Sequence, residues 1–227
     1  TFTANRIAGQ YLISATTAGA TPVSFQVTNA LWYVSPTGGS ACTESDPHCT
    51  AIQSAVSNAS AGDTIFVESG VYLNDYPYIT KNLILVGGLN SAFTAQDGQT
   101  IIDAENLRRG VYIGVGITAS MDHFDVRNGK VANDWGGGGI LNSGSLTFTN
   151  GAIYNNSVHH ILPTDLTNNG GGIYSNGAQL ILTNVTISNN EADIGGGLFI
   201  NSGNTTLNNV TITQNFATNL GATASGG

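Results

Sequence analysis

Three copies of one phrase constrain this chain more than anything else in it. They are GGGI at Gly137 to Ile140, GGGI at Gly170 to Ile173 and GGGL at Gly195 to Leu198. Each is followed by a Thr/Asn-rich stretch with a short alternating apolar pattern. Self-similarity at a period of roughly 25 residues is the signature of a solenoid, in which each repeat buries its apolar face only against its neighbours. Such a fold is mainly surface, so function is to be sought on its faces and ends.

The apolar positions align the repeat. Ile113, Met121 and Val126 are spaced by 8 and then 5, as are Ile140, Phe148 and Ile153. Ile173, Leu182, Ile187 and then Leu198, Leu207, Ile212 follow with 9 and 5. Three inward anchors per turn predict three strands per coil, each stacked in parallel on its equivalent one coil away. The less regular pairs Ile65/Val67, Leu83/Leu85 and Ile101/Ile102 extend the count to about seven coils. The GGG runs suit corners that need positive φ or a close backbone approach. Asn150, Asn184 and Asn209 recur three residues before the third anchor, and His123 holds that place one coil earlier. Asn155, Asn189 and Gln214 form a second column. Stacked Asn side chains can hydrogen-bond along a column, so Asn150, Asn184 and Asn209 read as an internal structural ladder.

Two different segments precede the repeats. In residues 1–30, Phe2, Tyr11, Ile13, Val23, Phe25 and Val27 alternate with polar residues. TFTA, GQYLISAT and TPVSFQVTN therefore read as two or three antiparallel strands, too few for an independent domain. Thr50 to Ser60 reads as a helix with Ile52, Ala55 and Val56 on one face and Thr50 as its N-cap. Ala61-Gly62-Asp63 then turns the chain into a strand over Thr64 to Val67. A short amphipathic helix at this point would plug the apolar end of a solenoid.

Composition narrows the function. Only 9% of residues are charged, against about a quarter in an ordinary globular chain. Six basic residues and a net charge of −8 exclude a nucleic-acid partner and disfavour an anionic membrane surface. No apolar run approaches the length of a membrane span, so no membrane insertion is expected. Cys42 and Cys49 lie in a short polar loop, ACTESDPHC. They read either as a metal or redox pair or as a loop-closing disulfide. The absence of CxxC spacing favours the disulfide, and with it an oxidising, extracellular location.

AIQSAVSNASAGDTIFVESGVY, Ala51 to Tyr72, resembles the entry segment of the right-handed parallel β-helix superfamily that includes pectate lyases. The combination WYVSPTG…C…C…IQ…AGDTI…GVY, with the GGGI/L units, is similar to secreted bacterial surface proteins with polymorphic outer-membrane-protein-like repeats. Ala8-Gly9-Gln10-Tyr11 resembles the last strands of a bacterial immunoglobulin-like module. These resemblances imply an all-β chain: a remnant of such a module over 1–30, then a right-handed parallel β-helix over 31–227 with a short N-terminal capping helix.

The enzymatic branches of that superfamily carry motifs that this chain lacks: Asn-Thr-Asp, Asp-Asp, Gly-His-Gly and Arg-Ile-Lys. The nearest lyase-like candidate is Asp122 to Arg127, where Asp125 and Arg127 flank the inward Val126 and are expected to pair with each other. No catalytic residue is assigned. The candidate binding edge lies in the loops after each third anchor, at Gly129–Trp135, Ser157–Asn169 and Glu191–Ile194. Stacked side by side, these loops would gather Asp134, Trp135, His159, His160, Asp165, Glu191 and Asp193, with Lys130. An exposed Trp beside acids and histidines could stack a sugar ring or help hold a cation. No cofactor is called for, and calcium is the one ion such an edge would suit. Outward hydroxyls at Thr186/Ser188 and Thr211/Thr213 resemble those of ice-binding solenoids on two rungs. Sequons at Asn58, Asn155, Asn184, Asn204 and Asn209 follow from an Asn/Thr-rich composition.

The expected function is that of a non-enzymatic extracellular or cell-surface structural protein, adhesin-like. The first strands lack partners and Gly226-Gly227 reads as the start of another coil, so either the sequence is a fragment of a longer chain or neighbouring subunits complete the edges head to tail in a filament. A glycan or cell-surface ligand is the expected external partner. The alternative is a carbohydrate-active protein, either a polysaccharide-binding solenoid or a polysaccharide lyase-like enzyme.

Overall fold

A computed structural model describes residues 9–19, 21–38, 41–132, 136–159 and 168–218. The described residues are all-β, with one short helix and several parallel sheets, an arrangement compatible with a β-helix. Gly9–Ala15 and Val23–Asn29 pair antiparallel as a hairpin that forms its own sheet. The next strand, Leu31–Val34, already belongs to the long sheet. The TFTA segment lies outside the described residues.

Each later repeat contributes three strands, as in Ile140–Asn142, Ser145–Tyr154 and Ser157–His159. Each pairs in parallel with its equivalent in the next repeat: Ile140 with Ile173, Phe148 with Leu182, Ser157 with Glu191. This produces a five-stranded sheet from Tyr78–Ile79 to Leu198–Ile200, an eleven-stranded long sheet and a four-stranded sheet. Alternation sends Ile65, Leu85, Met121, Phe148 and Leu182 into the core. The residues between them point outward. His48, Tyr33, Phe66 and Val86 stand in one outward column that continues through Asp122, Thr149, Thr183 and Asn208.

In the last three repeats the second and third anchors do not occupy separate strands, although Met121 and Val126 do. Phe148 and Ile153 share the single strand Ser145–Tyr154, bent at Asn150, whose φ is +55°. Asn184, Asn209 and His123 bend their coils in the same way. Asn tolerates this left-handed conformation better than other non-glycine residues, so the corner is turned without interrupting the pairing. The third strand carries a fourth inward position, filled by the buried Val158 and Ala192.

The GGG corner needs glycine for two reasons. Gly170 has φ +66°, and a Cβ on Gly171 would lie 2.4 Å from the Glu191 carbonyl oxygen and 2.5 Å from that of Gly196. The corner at Gly136–Gly137 is also held from inside. The buried Arg109 donates from Nε to the Gly137 carbonyl and from Nη2 to that of Gly136, both at 2.9 Å.

The helix spans Ile52–Asn58 and buries Ile52, Ala55 and Val56. It packs on the first strands of the long and five-stranded sheets and so lies over that end of the stack. Thr50 is not its cap. The N-cap is Ala51, which offers no side-chain bond. The buried Asp75 instead accepts the Ile52 and Gln53 amides, while Lys81 donates to the Ser57 and Ala59 carbonyls at the other terminus. Opposite charges thus complement the two ends of the helix dipole from distant segments.

Two stability measurements check these assignments by denaturant unfolding. Asp75→Ala is expected to cost about 1–2 kcal/mol, the usual loss on removing a cap, whereas Thr50→Ala stays within about 0.5 kcal/mol. Gly171→Ala is expected to cost about 1–3 kcal/mol through overpacking.

Candidate functional site

The described parts of the candidate-edge loops lie side by side. Lys130–Ala132, Ser157–His159, Glu191–Ala192 and Phe216–Ala217 form the four-stranded parallel sheet. His159 stands beside Ala132, and Glu191 pairs with Ser157. Asp193 is engaged sideways, accepting from Asn168 Nδ2 and from Thr218 Oγ1, each at 3.2 Å. Asp134, Trp135, His160 and Asp165 lie outside the described residues. Among the described residues, no group of three His, Cys, Asp or Glu side chains could hold a metal ion.

Asp125 and Arg127 do not pair with each other. Arg127 donates from Nε to Asp103 Oδ2 at 2.8 Å, and Asp125 accepts the Ala152 amide at 2.9 Å. Geometry explains the exchange of partners. Same-face neighbours along a strand are about 7 Å apart, whereas the residue opposite on the next strand is about 4.8 Å away, and Arg127 lies directly opposite Asp103. Burial pushes the Asp125 carboxyl above its ordinary value, opposed by the Ala152 amide and the Arg127 charge.

The asparagines form two ladders. In the outer one, Asn209 Nδ2 donates to Asn184 Oδ1 and Asn184 Nδ2 to Asn150 Oδ1, both at 2.8 Å. Asn150 Nδ2 then donates to Asp122 Oδ1 at 2.7 Å, so the ladder ends on a carboxylate. This column runs along an exposed corner and not through the interior, because a left-handed bend turns its side chain outward. The interior ladder is the neighbouring column, Asn156, Asn190 and Asn215, which the sequence reading missed. Asn156 Nδ2 donates to Asn190 Oδ1 and Asn190 Nδ2 to Asn215 Oδ1, both at 2.9 Å. The same amides bond the Val126, Ile153 and Ile187 carbonyls. Asn156 and Asn190 are fully buried. The available signal was the doublet Asn155-Asn156, Asn189-Asn190, Gln214-Asn215, in which the first residue takes positive φ and the second turns inward.

Asp122 is the most strongly held acid on the outer surface. Burial opposes its ionisation, but Gln96, Thr149, Asn150 and His123 donate to it and hold its carboxyl down at about 2. Thr149 Oγ1 is 2.6 Å away, Gln96 Nε2 2.9 Å and His123 Nδ1 3.0 Å. Cys42 and Cys49 are joined in a disulfide that closes the edge strand His48–Cys49. This settles the alternative in favour of the loop-closing bond, which is consistent with an extracellular location. No helix of the described residues is long and apolar enough to cross a membrane.

No protein-family model matches this chain, and no curated protein or solved structure matches it significantly.

The two ladders should differ in cost. Asn190→Ala removes the acceptor of the buried Asn156 backbone N–H and the donor to the Ile153 carbonyl, so a loss of about 2–4 kcal/mol is expected in denaturant unfolding. Asn184→Gly keeps the left-handed corner and removes only exposed bonds, so the loss stays below about 1 kcal/mol. Because the folded Asp122 value lies below the unfolded one, its stabilisation is present above about pH 4 and is lost as pH falls through about 2. Asp122→Asn should be less stable at neutral pH and show a flatter acid-unfolding profile across that window.

Proposed function

We propose that this chain is a non-enzymatic extracellular or cell-surface structural protein, adhesin-like in use. Its fold is read as a right-handed parallel β-helix of about seven coils over 31–227, preceded by the remnant of an immunoglobulin-like module over 1–30. Parallel strands joined by crossovers are right-handed in nearly all known cases, which supports the handedness. The observation that carries the functional reading is the pair of asparagine ladders. They fix the register of successive coils at two neighbouring corners, one exposed and one buried, as a rigid scaffold displaying a regular surface requires. The disulfide supports the extracellular part.

Self-association is part of the proposal. Gly70–Leu73 ends one arm of the long sheet and pairs only with Thr100–Asp103 among the described residues. Its outward Val71 and Leu73 are 42% and 58% exposed. An apolar edge strand of this kind is a template for strand addition. The helix covers the apolar interior at that end, so end-to-end growth would run through strand edges and not through an open core.

Negative-stain microscopy and light scattering of the native protein test the assembly. Regular filaments or rods longer than one chain are expected, and a strictly monomeric population at high concentration would remove self-association from the reading. Surface labelling of intact producing cells tests the location. Release of oligosaccharides from a polysaccharide panel by the purified protein would sink the non-enzymatic assignment.

A further inference from the structure

The outer face of the long sheet changes character along its length. At one end it is aromatic. Tyr33 stacks on His48 with ring centroids 5.2 Å apart, lies 5.9 Å from Phe66, and takes the Phe93 ring edge-on at 5.0 Å. These rings stand outside the core, on the face opposite the buried Trp32 and Val34. The disulfide fixes the edge strand that carries His48, whose side chain is 53% exposed.

Phe93 is held there against its backbone preference. Its φ is +56°, an outlier for a bulky residue. The turn that imposes this conformation is pinned by Asn90, whose carbonyl accepts the Phe93 amide and whose side chain accepts the Thr94 amide. Gln96, at the end of the same loop, is anchored on Asp122. Strain retained on a surface ring is a pointer to use.

Beyond Asp122 the face becomes a field of small uncharged polar groups around one apolar side chain, Ile181. The strands Ser145–Tyr154, Gln179–Ser188 and Asn204–Thr213 contain no Asp, Glu, Lys or Arg. Outward Thr183 and Asn208 stand in register, and Thr206 lies beside them. Among the described residues, no hydrogen bond of the protein occupies the Thr183 or Thr206 hydroxyl. The rungs repeat at about 4.8 Å, and the ladders keep that spacing rigid.

We propose that this face binds a neutral polysaccharide. Sugar rings would pack against the Tyr33, His48 and Phe93 end, and sugar hydroxyls would hydrogen-bond along the Thr and Asn rungs. Ring faces suit the C–H surface of a pyranose. A rigid array of hydroxyls and amides suits a repeating hydroxyl polymer, and the acid in its column, Asp122, is already engaged by Gln96, Thr149, Asn150 and His123. The inference rests on the reading of the chain as a surface protein and names the ligand class of its display face.

The test is affinity electrophoresis of the whole chain in gels containing dextran, mannan or galactomannan, at low and high salt. Retardation by at least one polymer, unchanged by salt, is expected. Phe93→Gly removes the ring and relieves the backbone, and Thr206→Lys alters an exposed rung. Each should weaken retardation by about tenfold or more with an unchanged thermal melt. Val115→Lys, on an 81% exposed turn next to the five-stranded sheet, should behave as the native chain. No retardation by any neutral polymer, wild-type retardation in both face variants, or retardation confined to a charged polymer and abolished by salt would each overturn the inference. A chain that stays on the cell surface and assembles yet binds no neutral polymer refutes this inference alone. Oligosaccharide release or an intracellular location refutes the earlier reading while leaving the binding result intact.

Discussion

In-register stacking of equivalent residues is the constraint on which the rest of this structure depends. A parallel pair sets every residue opposite its counterpart one repeat away, so a slip of one residue would send every anchor to the surface. Apolar columns resist that slip strongly but a slip of two residues less so, since it keeps the same face inward and Leu, Ile and Val substitute for one another at little cost. The buried Asn156–Asn190–Asn215 ladder resists it strongly, because each amide has donors and acceptors aimed at the next rung and at a corner carbonyl. Displacing it would bury several unpaired polar groups, each costing about 1–3 kcal/mol. The outer Asn150–Asn184–Asn209 ladder holds the preceding corner of each coil from the solvent side.

What was legible in the sequence is what repeats locally. The anchors, the glycine corners and the columns of Asn recur at a near-constant period, so spacing alone located them. What was not legible depends on contacts between distant segments. The helix looks as if Thr50 caps it, yet Asp75 and Lys81 hold its ends across the stack. Asp125 and Arg127 look like partners because they are two apart in sequence, yet pairing between coils places Asp103 closer to Arg127. The doublets Asn155-Asn156 and Asn189-Asn190 show the limit of periodicity, since two adjacent columns share one period. Only the sign of φ at the first residue of each pair decides which side chain turns inward. At the candidate edge, the side-by-side pairing of the described strands was legible from the repeat, whereas the partners of Asp193 were not.

The scarcity of charge follows from the same stacking. In a parallel repeat, a charged residue at a repeating outward position meets its own kind about 4.8 Å away on the next rung. Two like charges at that distance repel by about 1–3 kcal/mol in surroundings between bulk water and a protein surface. A repeat therefore favours Thr, Ser and Asn at outward positions. The charges that do occur on this surface break the repeat. Asp103 lies opposite Arg127 and not opposite another acid, and Asp122 lies opposite Val86 on one side and Thr149 on the other.

This separates two properties of the outer face that composition alone confounds. Its neutrality is a consequence of the fold and by itself indicates no ligand. The aromatic end is not, because the stacking rule is equally satisfied by threonine at Tyr33, Phe66 and His48, and nothing in the pairing requires Phe93 to adopt a left-handed backbone. An aromatic cluster on the solvent side leaves apolar surface in contact with water and retains local strain, both of which oppose folding. A scaffold whose register is already secured by two ladders can carry that cost. The rings, more than the hydroxyl field, are therefore where selection for a partner would be visible in this chain.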